Sequence, residues 1–348
     1  VRTDYSYQGQ AAKIVLTNAL SGKYTASILG ATPGSGKTTI SQIILNSYTK
    51  MFPAARILVL TEGKNVLKNQ YLDELNSSHV KINFTYGGFE SNAQVRVGLP
   101  QSINRLEWDK VDLLLVDECH HFFMAPMVQS IVKKLNPTHK ILMTGSPTQF
   151  NGNRKYAIHY ISAEELFDKG VFSGVQMDVV RTQNKNNAKA AINDALLMAK
   201  KNNDNASKIM VACPSIEYAN QVAFYLDDKG YKVALSTSEN DQDDVQIKNF
   251  KDGKANALVV VGKGILGFND SNITLLVDMK SSDNLDSSYQ IFARTLRRHP
   301  DNVTKAYYRV ADTDFNKQVV ILHKMLGLTK REIFKDFNGK NMTVEIMG

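Results

Sequence analysis

The chain has 348 residues, 42 Lys and Arg against 34 Asp and Glu for a formal charge of +8, 43% hydrophobic residues, 21 glycines, 8 prolines and 2 cysteines. These proportions fit a soluble globular protein of about two domains, at ~150 residues per domain, and exclude a collagen-like, disulfide-stapled or wholly disordered chain. The positive excess suits a polyanionic partner without demanding one; with no membrane-length apolar run and a polar start at Val1-Arg2-Thr3-Asp4, a cytoplasmic protein without membrane attachment is the expectation.

Short runs rich in Val, Ile and Leu alternate with amphipathic stretches, a rhythm that predicts an α/β protein with largely parallel sheets. In chain order the first half offers a helix over 7–20, a strand over 24–29, a helix over 38–48, a strand over 56–61 and a helix over 66–75. Strands over 81–85, 94–98, 111–116 and 140–143 follow and complete one sheet. Polar stretches around 151–155 and 182–187 read as surface linkers. The pattern then restarts with a helix over 188–200, a strand over 208–212, a helix over 216–228, strands over 231–235, 256–261 and 273–277, a helix over 285–296 and a strand over 304–310. Two tandem domains are expected, residues 1–174 and 175–311. Residues 312–348 form a helical extension packed on the second through Phe315, Val319, Ile321, Leu322, Met325 and Leu328, with partner docking as its alternative role.

Between the first strand and second helix stands Ala31-Thr32-Pro33-Gly34-Ser35-Gly36-Lys37-Thr38. Small residues there let successive backbone N–H groups curl around phosphates, and the helix N-terminus adds a favourable dipole. The spacing is that of a P-loop with Ala31 where the first glycine usually stands. Lys37 would reach the β- and γ-phosphates, Thr38 would ligate Mg²⁺, and Thr39 is expected to bind the nucleotide with them. An ordinary glycine-rich turn is the plain alternative.

About 80 residues on, Asp117-Glu118-Cys119-His120 ends an apolar strand. Two adjacent carboxylates at the edge of a buried strand are costly unless a cation or a reaction uses them. Asp117 is expected to hold Mg²⁺ and Glu118 to orient and deprotonate water. His120-His121 lacks a third ligand at metal spacing, so a zinc site is not read, and Cys119 reads as a packed thiol.

Taken together, the loop and the DECH tetrad resemble motifs I and II of the superfamily 2 helicases and translocases, with the compact plan of phage or recombination-type members. The resemblance runs in order over roughly residues 5–310 and implies two RecA-like domains with a nucleotide cleft between them. It implies an adenine-reading Gln8, with Gln10 as alternative, and a phosphate-backbone track through Thr61, Lys64, Gln101 and Ser102. Thr144-Gly145-Ser146-Pro147 resembles motif III, so Thr144 and Ser146, with His120, imply coupling of that track to the nucleotide.

In the second half Gly264-Ile265-Leu266-Gly267-Phe268-Asn269 resembles motif V, placing Gly267 and Asn269 at the nucleotide. Gln290-Ile291-Phe292-Ala293-Arg294-Thr295-Leu296-Arg297 resembles motif VI, with Ala293 in a glycine position and Gln290 as a coupling residue. Spaced three apart, Arg294 and Arg297 are expected on one helix face, Arg297 as the γ-phosphate finger and Arg294 as its helper. Arg298 and His299 are expected at the exposed helix end. Ser215 and Lys263 are the backbone contacts expected in the second domain.

The implied function is an ATP- and Mg²⁺-dependent DNA helicase or translocase, monomeric, gripping nucleic acid chiefly by its phosphates and suited to branched DNA. An RNA helicase and a nucleotide-dependent clamp or loader are the alternatives.

Overall fold

The computed structural model describes residues 3–61, 65–76, 80–145, 152–182, 185–241, 244–262, 270–311 and 314–328. They form two compact units, one over Asp4–Ser162 and one from Ala163 onward together with Thr3.

The first unit runs α1 (Ser6–Leu20), β1 (Ala26–Ala31), α2 (Lys37–Met51), β2 (Ile57–Leu60), α3 (Asn65–Asn76), β3 (Tyr86–Gly87), β4 (Val95–Gly98), β5 (Leu113–Val116), α4 (Pro126–Leu135), β6 (His139–Thr144) and β7 (Tyr156–Ile161). Its strands lie in the order β3-β4-β2-β5-β6-β1-β7, each pair parallel. Strands β1, β2 and β5 are buried along their whole length, which is why they read as unbroken apolar runs.

The second unit runs α5 (Ala163–Asp168), β8 (Val175–Arg181), α6 (Ala188–Asn202), β9 (Ile209–Cys213), α7 (Ile216–Asp228), β10 (Val233–Ser236), α8 (Val245–Lys251), β11 (Ala257–Val261), β12 (Leu275–Asp278), α9 (Leu285–Leu296), β13 (Lys305–Ala311) and α10 (Phe315–Gly327). Its sheet, again parallel, has the order β10-β11-β9-β12-β13-β8. Two tandem parallel-sheet domains of the RecA-like kind are therefore present. Side chains cap helices where the sequence supplies Asn or Ser: Asn187 accepts from Ala190 N–H, Ser215 from Tyr218 N–H and Asn284 from Ser287 N–H.

Because every strand in a sheet points the same way, all the strand C-termini of one unit open onto one edge, the usual place for ligands in such sheets. The loops after β1, β2, β4, β5 and β6 thus share an edge of the first unit, and those after β9, β11 and β12 share one in the second.

Two local differences from the sequence expectation have clear causes. Residues 81–84 do not join the sheet, and Thr85 reaches it only as an acceptor, its carbonyl from Val95 N–H at 2.9 Å and its hydroxyl from Gln94 N–H at 2.9 Å. Asn46 of α2 captures the backbone of 81–84 instead, donating to Lys81 O at 2.9 Å and accepting from Asn83 N–H at 2.9 Å, so the strand begins only at Tyr86. Strand β7, which no apolar run announces, pairs only with β1 at the sheet edge and is half exposed.

Candidate nucleotide site

Strand β1 delivers the loop. Ala31, buried and in register with Ile161 of β7, keeps an ordinary strand backbone, so its methyl group is accommodated where a glycine was expected. Gly34 and Gly36 take φ of 90° and 84°, which only glycine adopts readily. Gly36 has a second constraint: a Cβ there would lie 2.4 Å from Gln8 Nε2. Gln8 therefore sits against the loop, and its neighbour Tyr7 donates a hydrogen bond to Ser35 O at 2.5 Å. In the sequence Tyr7 stood only as the neighbour of Gln8, with no role of its own. Pro33 faces Gly145, where an added Cβ would lie 3.6 Å from Pro33 Cγ.

Lys37 opens α2 and its Nζ lies 3.1 Å from Glu118 Oε1. Glu118 has φ of 47°, a left-handed conformation for a side-chain-bearing residue, and its N–H donates to Asp117 Oδ1 at 3.0 Å. Strain of this kind gathers at functional sites. The Asp117 backbone N–H is anchored to Leu60 O, at the end of neighbouring β2. Asp117 keeps part of its surface accessible, yet protein surrounds its carboxyl group closely; burial first, then the Glu118 charge, push its pKa up to about 7, with Lys37 opposing. Behind it Ser41 and Tyr71 share a hydrogen bond of 2.7 Å, and burial raises the Tyr71 phenol.

His120 Nδ1 lies 2.9 Å from Thr144 Oγ1 and 3.6 Å from Glu118 Oε2, linking the ends of β5 and β6 through the acid. Cys119 is fully buried and its thiol pKa is raised by burial. The described residues contain no cluster of three His, Cys, Asp or Glu side chains fit for a metal.

Would the loop and its acids suit a nucleotide with Mg²⁺? The Ser35 hydroxyl is buried with no hydrogen-bond partner among the described residues, and the Thr38 hydroxyl and Asp117 carboxylate are hard oxygen donors of the kind that ion prefers. The donor set fits.

Thr61, buried after β2, donates its backbone N–H to Gly98 O at 3.1 Å, so it lies beside the turn that carries Gln101 and Ser102. In the second unit Ser215 caps α7, and Gln290 and Arg294 ride on α9, half buried. Lys64, Ser146, Lys263, Gly267 and Asn269 lie outside the described residues.

The shared helix face expected for Arg294 and Arg297 is not formed. Helix α9 stops at Leu296, and Arg297 (φ −59°, ψ 132°) continues as extended chain in an antiparallel bridge to Phe172. Ser173 N–H donates to Leu296 O at 2.8 Å and Arg298 N–H to Val171 O at 3.0 Å, so backbone pairing holds Arg297 outside the helix. His299, expected to be exposed, is buried.

A lysine-bearing glycine loop paired with an acid at the end of a buried strand, followed by a second parallel sheet with an arginine-bearing helix, defines a tandem-domain, nucleotide-driven motor core. The family models agree: the type III restriction enzyme res subunit matches residues 3–149 and the helicase conserved C-terminal domain residues 188–299. The chain thus carries the paired domains of a superfamily 2 helicase or translocase core, the class of ATP-driven motors associated with nucleic acid. No curated protein matches it.

Among solved structures it is similar to Saccharomyces cerevisiae Dbp5 bound to RNA and ADP BeF3, at 13% identity over 95% of this chain and 92% of that one, with a TM-score of 0.64. A fragment of an HsdR-type subunit of a type I restriction enzyme from Vibrio vulnificus gives 17% identity, 97% and 70% coverage, and 0.68. The Pyrococcus furiosus Hef helicase domain gives 13% identity, 90% and 97% coverage, and 0.52. Among the described residues no helix is long and apolar enough to cross a membrane.

Proposed function

We propose that this chain is a nucleic-acid-stimulated ATPase that turns hydrolysis into movement on, or remodelling of, a strand held by its phosphate backbone, with RNA the first substrate to test. The observation that carries the reading is the pairing of Lys37 with Glu118 at 3.1 Å beside Asp117, which gathers a phosphate-binding cation and two carboxylates at one strand edge.

In this reading Gln8 reads the base, and the backbone from Ala31 to Gly36, through Pro33, Gly34 and Ser35, wraps the phosphates. Thr38 and Asp117 hold Mg²⁺, which offsets phosphate charge when bound. Lys37 leaves Glu118 for the β- and γ-phosphates, freeing the Glu118 carboxylate to orient water and take its proton. His120 and Thr144 transmit occupancy of the site to the track that includes Thr61, Gln101, Ser102 and Ser215. Arg297 acts as finger and Arg294 as helper, with motif V at Gly267 and Asn269. Backbone contacts give position without reading sequence.

RNA is favoured by the Dbp5 neighbour, whose structure holds RNA, and by the DECH spelling, which occurs in RNA helicases. The DNA reading is favoured by the restriction-enzyme description of the first-domain family. ATPase assays with RNA, single-stranded, duplex and forked DNA separate them. Severalfold stimulation by RNA above DNA is expected; the reverse order transfers the assignment to DNA. Hydrolysis indifferent to every polymer overturns the motor reading. Turnover at background, with nucleic-acid affinity that responds to ATP, would make the chain a clamp.

A further inference from the structure

Strand β13 carries a charge where parallel strands are normally apolar. Arg309 is fully buried, and so is its partner Asp278 at the end of β12, with Nη1 3.3 Å from Asp278 Oδ2. The guanidinium has four partners from four places: Asp278, Ser288 Oγ on α9 at 3.1 Å, Ser282 O in the β12–α9 loop at 2.7 Å, and Gln318 Oε1 on α10. Asp278 is saturated in turn. Tyr307 OH donates to Oδ2 at 2.8 Å and Ser281 N–H to Oδ1 at 2.9 Å. Ser281 has φ of 42°, a left-handed turn held by that bond and by its hydroxyl, which donates to Asp278 O. Ser288 Oγ closes the loop by donating to Ser282 O at 2.7 Å.

A buried ion pair adds little net stability over apolar residues of the same volume, because desolvation offsets the attraction. What this one specifies is geometry: the bonds to Ser288 and Ser282 tie the first turn of α9 and the loop entering it to β13, the Asp278 bond joins β13 to β12, and Gln318 ties in α10. The same helix carries Gln290 and Arg294 and ends at Arg297, where backbone bonds to Val171 and Ser173 hold its other end.

We propose that Arg309 is a positioning residue for the arginine-bearing helix, fixing the entry and first turn of α9 so that Arg294 and Arg297 are presented in one orientation. The consequence for turnover rests on the ATPase reading above; the consequence for the helix does not.

The test uses the full chain with Asp278→Asn/Arg309→Met, which removes both charges without leaving one buried alone, and Arg309→Lys, which keeps the charge but not the fork. Amide hydrogen exchange is followed in α9, with α7 as internal reference, beside ATPase kinetics. Losing charge-assisted bonds should speed exchange in α9 about tenfold while α7 is unchanged, and should lower kcat about tenfold with KM for ATP within about twofold. Arg309→Lys should fall between the parent and the double variant, and it decides the matter if the double variant does not fold. Unchanged α9 exchange in a folded variant overturns the positioning role. Faster exchange with unchanged kcat overturns its link to catalysis. A parent protein without nucleic-acid-stimulated turnover sinks the functional reading and leaves the exchange result to judge Arg309.

Discussion

Lys305 opens β13 wholly buried, and its amine has no hydrogen-bond partner among the described residues. Burial first, opposed by Asp270 and assisted by Arg297, lowers its pKa to about 7. The folded value lies below the unfolded one of about 10.4, so between the two the unfolded chain binds more protons, and stability from this group rises with pH from about 7 to about 10. Below that window the penalty of the buried charge is fully present. Lys305→Met should remove the rise, and the difference between parent and variant thermal midpoints should shrink steadily from pH 7 to pH 10; a constant difference would show that Lys305 does not titrate there. In the nucleotide loop, Gly36→Ala combines an unfavourable φ with the close approach to Gln8. Its nucleotide affinity should fall by about tenfold or more, and Gln8→Ala in the same chain should recover only part, because the backbone strain remains; calorimetric titration reads both. Glu118→Gln should bind nucleotide and not turn it over, whereas Lys37→Ala should lose both.

At the level of elements, helices α7 and α9 are written plainly in the sequence, because each has an Asn or Ser cap, an apolar stripe and a polar stop, and the structure gives the predicted bounds for both. The central strands were legible for a related reason: burial on both faces leaves an unbroken apolar run. Helix α4 and strand β8 were missed although their patterns are local, whereas other misses were decided by tertiary partners. Strand β7 is an edge strand with mixed composition, residues 81–84 lose their ladder to Asn46, and Arg297 leaves the helix because residues 171–173 claim its backbone. The candidate site follows the same division. The loop and acids lie on contiguous stretches and could be read directly, whereas Tyr7, Tyr71 and Arg309 gain meaning only from what folds against them. Ser215 belongs to both classes, being the cap of α7 and a proposed phosphate contact. Ser215→Asp separates the roles, since aspartate caps as well as serine and its charge suits a helix N-terminus. Thermal stability should hold or rise, while the nucleic-acid concentration needed to stimulate ATPase should increase severalfold; an unchanged requirement would leave Ser215 with the structural role alone.

For the whole molecule, the charge of +8 is modest, and what matters is where cations meet phosphate. Each phosphate neutralised releases condensed counterions, so affinity should fall with salt at a log–log slope of about −0.7 per contact on a single strand and about −0.9 on a duplex. The proposed track includes two cationic side chains, Lys64 in the first domain and Lys263 in the second, among hydroxyl and amide groups that release no counterions. Removing both as Lys64→Ala/Lys263→Ala should therefore flatten the single-strand slope by about 1.4, each single variant by about 0.7. A variant at Lys133, an exposed residue of α4 outside the proposed track, should leave the slope as it was. Fluorescence anisotropy across a salt series measures this without any need for turnover. An equal loss of affinity at every salt concentration would mean that the lysines act through folding or nucleotide binding. Flattening by only one of them would mean that one domain alone holds the strand by charge, and a motor with a single ionic grip cannot advance by alternating two.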